Sequence, residues 1–223
     1  MQHKLFWSAI VKFVCGVLLV GLLIFLPAGT IFFRRGWLLM GILFVPMFAA
    51  GLVLLKKNPE LLQKRLEAKE KQREQQMVVK LSGLMFLVGF VLCGLNHRFL
   101  WLVLPDWVTW TAAGVFLLSY LLYAEVLREN AYLSRTIQVQ ENQKVIDTGC
   151  YGIVRHPMYT ATVFLFLSMP LVLGSLQGFA VFLLYLPIIT ARIRNEEQVL
   201  ERELPGYREY KLRVKYRLIP FVW

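Results

Sequence analysis

Two groups of residues in this 223-residue chain carry types and spacings suited to chemistry. The first is the polar stretch 147–159, in which Arg155, His156 and Tyr159 lead into an apolar run. Gly149 and Gly152 mark a turn, and Pro157 suits the first position of a new helix. His156 then stands at a helix N-cap, where backbone amides without helical partners favour an anion. The second group is Arg192 and Glu196, four residues apart and therefore on one helix face. A plain intrahelical ion pair would explain that spacing for a few tenths of a kcal/mol. A helical hairpin between the groups would instead gather Arg155, His156, Tyr159, Arg192 and Glu196 into one ionisable cluster at a membrane boundary. Such clusters are functional candidates.

The elements that must position these residues are membrane helices. Hydrophobic residues make up 57% of the chain and charged residues 17%, and the mean hydropathy is +0.56. This predicts an all-α, polytopic membrane protein with a single domain over 1–223. Apolar runs predict about six spans, at 7–26, 36–55, 78–95, 108–123, 158–173 and 179–193. The run at 7–26 is read as a retained span rather than a cleaved leader, because it is long and no small-residue cleavage motif follows. Pro170 and Pro187 are expected to kink the last two. Residues 56–77 hold seven basic and four acidic residues around Leu61, Leu62 and Leu66. They suit a short amphipathic helix lying on lipid headgroups, or else a solvated linker.

Lys plus Arg number 25 against 14 Asp plus Glu, a net charge of +11. With no nucleic-acid recognition motif, the excess is assigned to cytoplasmic loops and anionic membrane lipids. Basic residues crowd the second and fourth connections (positions 128, 135, 144 and 155 in the latter) and the tail from Arg192. The odd connections carry only Arg34, Arg35 and Arg98. Both termini and the stretch 147–159 are therefore expected in the cytoplasm, and the membrane is read as the cytoplasmic one. His97 reads as an interfacial side chain, and the three cysteines lack metal-ligand spacing. Cys150, in the turn, is the one that could be reactive.

The segment 155–159 with its lead from Asp147 resembles the signature of the isoprenylcysteine carboxyl methyltransferase family and of related phospholipid methyltransferases. So do 195–200, 205–210 and 217–220, so that the resemblance covers about 130–223 while 1–129 shares only its apolar spans. It implies an S-adenosylmethionine-dependent enzyme with a cytoplasmic C-terminal helix and a cofactor pocket built by the second half. By position, Gln140, Gln143, Lys144, Val145, Ile146 and Tyr151 would line the cofactor, together with His156, Pro157, Met158, Tyr159 and Glu196. Arg192 would face the substrate, and Arg155 and Arg213 match further arginines of the pattern, giving a catalytic set of Arg155, Arg192 and Arg213. The sequence departs from the family at Gln143, where eukaryotic members carry histidine, and at Ala161, where glycine is usual.

The absence of a glycine-rich strand–turn–helix argues against a Rossmann-type cofactor site. Methyl transfer to an ionised carboxylate needs alignment and exclusion of water but no base. An amine or thiol acceptor would need a proton acceptor, for which His156 and Glu197 are at hand. The implied partner is a lipophilic small molecule or lipid-modified substrate. An amine or phospholipid N-methyltransferase, a nicotinamide-dependent membrane reductase and a transporter or scaffold are the rival readings.

Overall fold

The computed structural model describes residues 2–66, 73–134, 136–137 and 139–223. Helix α1 (Gln2–Ala28) stops at Gly29, whose φ of 68° only glycine adopts readily. Helix α2 (Arg34–Lys57) follows after a short turn. Asn58 then begins α3 (Pro59–Leu66) with a side-chain cap, its Oδ1 accepting from Leu61 N at 3.1 Å, and with proline at the first helical position. Two long helices come next, α4 (Arg73–Phe99) and α5 (Asp106–Glu129). An irregular stretch leads to a 3-10 turn at Gly149–Gly152 and to α6 (Pro157–Val172). Ser175 caps α7 (Leu176–Phe182), accepting from Gly178 N at 3.0 Å. Helices α8 (Tyr185–Glu203) and α9 (Tyr207–Arg213) complete the set.

The described residues form helices and no strand. Five of the helical segments are long and apolar enough to cross a membrane: His3–Ala28, Arg34–Lys57, Gln75–Phe99, Asp106–Glu129 and Leu176–Glu203. Leu18 (66% exposed), Leu26 (69%) and Leu121 (67%) present bare apolar surface. Surface of this kind suits lipid rather than water. The chain is thus an integral, multi-pass membrane protein. The predicted fifth span differs from the rest: at 16 residues, α6 is only about 24 Å long against the ~30 Å of a hydrocarbon core. The predicted sixth span is one membrane-length segment, Leu176–Glu203, locally distorted ahead of Pro187. Pro187 has no N–H for the Leu183 carbonyl, which accepts from Leu186 N at 3.1 Å instead, so α7 passes into α8 through a tighter turn at Leu183 and Leu184, both still right-handed helical.

The odd-numbered connections meet at one end of the bundle. Arg35 Nη2 donates to Leu104 O (2.8 Å) and to Asp106 Oδ1 (2.7 Å). Asn96 Nδ2 donates to Leu102 O (3.1 Å) and Gly174 O (3.2 Å), tying the α4–α5 and α6–α7 turns together. The start of α6 lies at the other end, sunk below the tip of α5. Arg65 touches both Tyr123 and Met158, and Tyr123 stands six residues, about 9 Å, before Glu129.

Helix α3 corrects the headgroup expectation. Leu61 (2% exposed) and Leu62 (6%) are buried in protein, and Lys64 Nζ donates to Gln140 Oε1 at 2.6 Å. Lys12 Nζ satisfies the C-terminal carbonyl of Leu66 at 2.8 Å. Positions 67–72 of the predicted amphipathic segment, and Arg135 of the fourth connection, lie outside the described residues.

Close packing of the N-terminal helices on the rest depends on two glycines of α4. A Cβ on Gly94 would lie 2.5 Å from Ile24 O and 3.0 Å from Ala28 N, both backbone atoms of α1. A Cβ on Gly89 would meet the ring of fully buried Phe182 at 2.3 Å. Small residues of this kind let membrane helices approach. Gly94→Ala is expected to cost about 1–3 kcal/mol in unfolding from detergent micelles, because neither backbone can yield. Gly41→Ala, where a Cβ meets nothing within 4 Å, is the control and should leave the unfolding midpoint unchanged. Equal midpoints for both variants would show that α1 is not fixed at Gly94.

Candidate active site

The C-terminal stretch of irregular chain, 214–223, folds back across the start of α6. Arg155 N donates to Tyr216 O and His156 N to Arg217 O, each at 2.9 Å. Beneath them sits the Glu197 carboxylate on α8, 3% exposed. Its Oε1 accepts from Arg155 Nε at 2.8 Å and lies 3.3 Å from His156 Nε2. Its Oε2 accepts from Arg217 Nε at 3.0 Å, with Lys211 Nζ at 3.7 Å. Arg155 also gives Nη1 to the carbonyls of Val214 (2.7 Å) and Lys215 (2.8 Å). Three separate segments are thus clasped on one buried carboxylate. Breaking a buried pair by removing one partner costs about 3–5 kcal/mol.

Glu196 is one residue away and turned about 100° around the helix. It lines a cavity open to solvent, walled by residues of 130–134, 136–137 and 143–146, the 3-10 turn, α6, α8 and α9. Tyr159 Oη donates to Glu196 and accepts from Arg192 Nε at 2.9 Å. The predicted Arg192–Glu196 pair is therefore bridged through a tyrosine from the opposite arm of the hairpin.

The irregular segment brings Gln143, Lys144, Val145 and Ile146 to the cavity wall. The turn and α6 bring Tyr151, Arg155, His156, Met158 and Tyr159, and α8 brings Arg192 and Glu196. Gln140 stands behind this wall, its N–H on Gln143 Oε1 at 2.9 Å. Pro157 is fully buried at the first position of α6 and shapes the wall from behind. Arg213 lies apart from it: its side chain is 65% exposed and pairs with Asp147 at 2.8 Å. The geometry gives Arg155 a task that spacing alone did not suggest, since its guanidinium is engaged by Glu197 and two tail carbonyls.

Two tyrosines of α9 complete the wall. Tyr210 Oη donates to Tyr151 O at 2.8 Å, and the Tyr151 hydroxyl accepts from Asn130 Nδ2 at 3.0 Å. Tyr207 is buried in the wall, and its hydroxyl has no hydrogen-bond partner among the described residues. Burial first, and then the negative charge of Glu197 and Glu196, pushes the Tyr207 phenol up, so it stays a donor at neutral pH. Sequence reasoning passed over Tyr207, although its place directly after Pro205 and Gly206 in a recognised motif was a usable signal. Gly149 (φ 51°) admits Glu129: a Cβ there would lie 1.5 Å from Oε1. The Glu129 carboxylate accepts from Cys150 N at 3.0 Å. Burial and the nearby Glu129 raise the Cys150 thiol, which disfavours the thiolate.

An unpartnered hydroxyl and a partnered one respond differently to deletion. Tyr207→Phe should leave the unfolding midpoint unchanged or raise it, because no internal hydrogen bond is lost. Tyr210→Phe should lower stability by about 1 kcal/mol, since the Tyr151 carbonyl then loses its donor. Unfolding in detergent reads both; a Tyr207→Phe loss as large as that of Tyr210→Phe would mean that Tyr207 has an internal partner.

Residues 107–205, from α5 to just past α8, match the model of the phospholipid methyltransferase family. The match takes in the irregular segment, the turn, α6 and most of the cavity wall, but under half of the chain. A stretch of 91 residues is 32% identical to the delta(14)-sterol reductase TM7SF2 of Mus musculus, which is 40% of this chain and 22% of that protein. The chain thus spans less than a quarter of that relative's length. Together these likenesses point to the membrane methyltransferase and reductase superfamily, and the family match to a membrane methyltransferase.

Proposed function

We propose that the chain is an S-adenosylmethionine-dependent methyltransferase acting on a lipophilic carboxylate. In this reading it sits in the cytoplasmic membrane with the cavity and both termini on the cytoplasmic side, as the basic connections indicate. The observation that carries it is the composition of the wall: one carboxylate, one unsatisfied phenol and an apolar surface facing a single cavity. Glu196 suits an ammonium group, and Tyr207 offers a donor to an acceptor atom of the ligand. Ile146, Leu200 and Leu204 supply the apolar surface a purine needs. When bound, the cofactor's sulfonium supplies the methyl group.

The residues of the chain have modest work to do in such a transfer. A carboxylate acceptor is already ionised at neutral pH. Arg192, held in place by Tyr159, is positioned to orient it, while Tyr159 and His156 keep water from the reacting face. An amine acceptor would need a base. Glu197 is poorly suited to that task, with both oxygens committed to Arg155, His156 and Arg217, and His156 turns its Nε2 onto Glu197 at 3.3 Å. This favours the carboxylate over amine or phospholipid N-methylation, the reading closest to the family's description. The likeness to a sterol reductase keeps a nicotinamide-dependent reductase as the other rival.

Calorimetry on the purified full chain in detergent tests the cofactor. S-adenosylmethionine is expected to bind and NADPH not. Glu196→Gln should weaken binding about tenfold to more than a hundredfold, the worth of a charge-assisted contact of roughly 1.5–3 kcal/mol. Binding of NADPH without S-adenosylmethionine would select the reductase, and undiminished binding by Glu196→Gln would remove Glu196 from the site.

A further inference from the structure

Gln75 stands in the first turn of α4 with its side chain fully buried. Its Oε1 accepts from Arg192 Nη1 at 3.1 Å. That contact fixes the amide's orientation, because the reverse would set donor against donor. The other end, Nε2, has no acceptor among the described residues. A buried amide donor without a partner is a standing cost, and native proteins keep such groups where a ligand, ion or water completes them.

Arg192 reaches to two sides. Its Nε is held by Tyr159 Oη, on the side of Glu196 and the cavity, while Nη1 reaches Gln75 on α4. Gln75 is not part of the cavity wall. An acceptor must meet a methyl donor from a side the donor does not fill, and the α4 side of Arg192 is such a side. Gln75 also lies outside residues 107–205, in the part of the chain without the family match.

We infer that Gln75 recognises the methyl acceptor: its Nε2 and the Arg192 guanidinium form a two-donor seat for the carboxylate head of a lipophilic acid lodged between α4 and α8. The inference rests on the methyl-transfer reading and adds to it the residue that selects the acceptor. Two donors on neighbouring groups match the two oxygens of a carboxylate. An amine head, which also brings donors, would leave Gln75 Nε2 without an acceptor.

The test uses the purified full chain in detergent, methyl-deuterated S-adenosylmethionine and N-acetyl-S-farnesylcysteine as the lipophilic carboxylate. Gln75→Leu is expected to raise KM for the farnesylated acid about tenfold or more, with kcat and the cofactor Kd within about threefold of wild type. Gln75→Glu, which swaps the donor for a negative charge, should raise KM further at unchanged cofactor affinity. Gln75→Leu also removes the acceptor of Arg192 Nη1 and should lower the unfolding midpoint modestly, whereas Gln75→Glu keeps an acceptor there and should hold it, so a KM effect of Gln75→Glu cannot come from misfolding. A Gln75→Leu enzyme with wild-type KM overturns the seat and leaves the methyltransferase reading intact. So does a wild type that binds the cofactor but does not methylate the acid. A wild type that binds no S-adenosylmethionine overturns both.

Discussion

The arrangement of this protein turns on where the charge of Glu197 goes. A carboxylate that is 3% exposed inside a membrane protein is tolerable only when its oxygens are filled with donors. Arg155, His156 and Arg217 do so, from the lead into α6, from the cap of α6 and from the returning tail. The same arginine holds Val214 and Lys215 by their carbonyls, so the tail cannot leave without stranding both charges. The tail in turn fixes the start of α6, with Thr160 Oγ1 on Leu218 O at 2.7 Å. Because α6 starts there, it is short, and its first turn sits below the tip of α5. The cavity lies directly above that start.

One helix therefore serves two purposes on two faces. Glu197 points into the clasp and keeps α8 in register; Glu196, a third of a turn away, is left to face the cavity with Tyr159 and Arg192. The tighter turn at Leu183 and Leu184 joins α8 to α7, which Gly89, Gly178 and Phe182 fix against α4. The N-terminal half contributes more than anchorage. Lys64 and Arg65 of α3 hold the irregular segment and Met158, and Gln75 of α4 meets Arg192.

Much of this was legible in the sequence where the signal is local. Apolar runs gave the helices, Pro157 the start of α6, and four-residue spacing the shared face of Arg192 and Glu196. A helical hairpin between the two groups also implied that Tyr159 would meet that pair. What was not legible depends on contacts between distant segments. Nothing local marks Glu197 over Glu196, since the choice is made by a tail that folds back from 214–223. Arg155 and Arg213 look alike in a motif, yet one is sealed against Glu197 and the other pairs with Asp147 in solvent. For α3, a stripe of leucines among lysines reads the same whether lipid or protein covers it. The cost of Pro187, read as a kink, is met by a tighter turn in which Leu183 O accepts from Leu186 N.

The most direct measurement of methyl transfer to a lipophilic carboxylate is mass spectrometry of membrane lipid extracts incubated with the purified chain and methyl-deuterated S-adenosylmethionine. The account predicts a deuterated methyl group in the organic extract, released by mild base as an ester must be, and absent without the chain. Label that survives base as an N-methyl group would contradict the carboxylate assignment. No label at all, with a sterol double bond reduced when NADPH is supplied instead, would contradict methyl transfer itself.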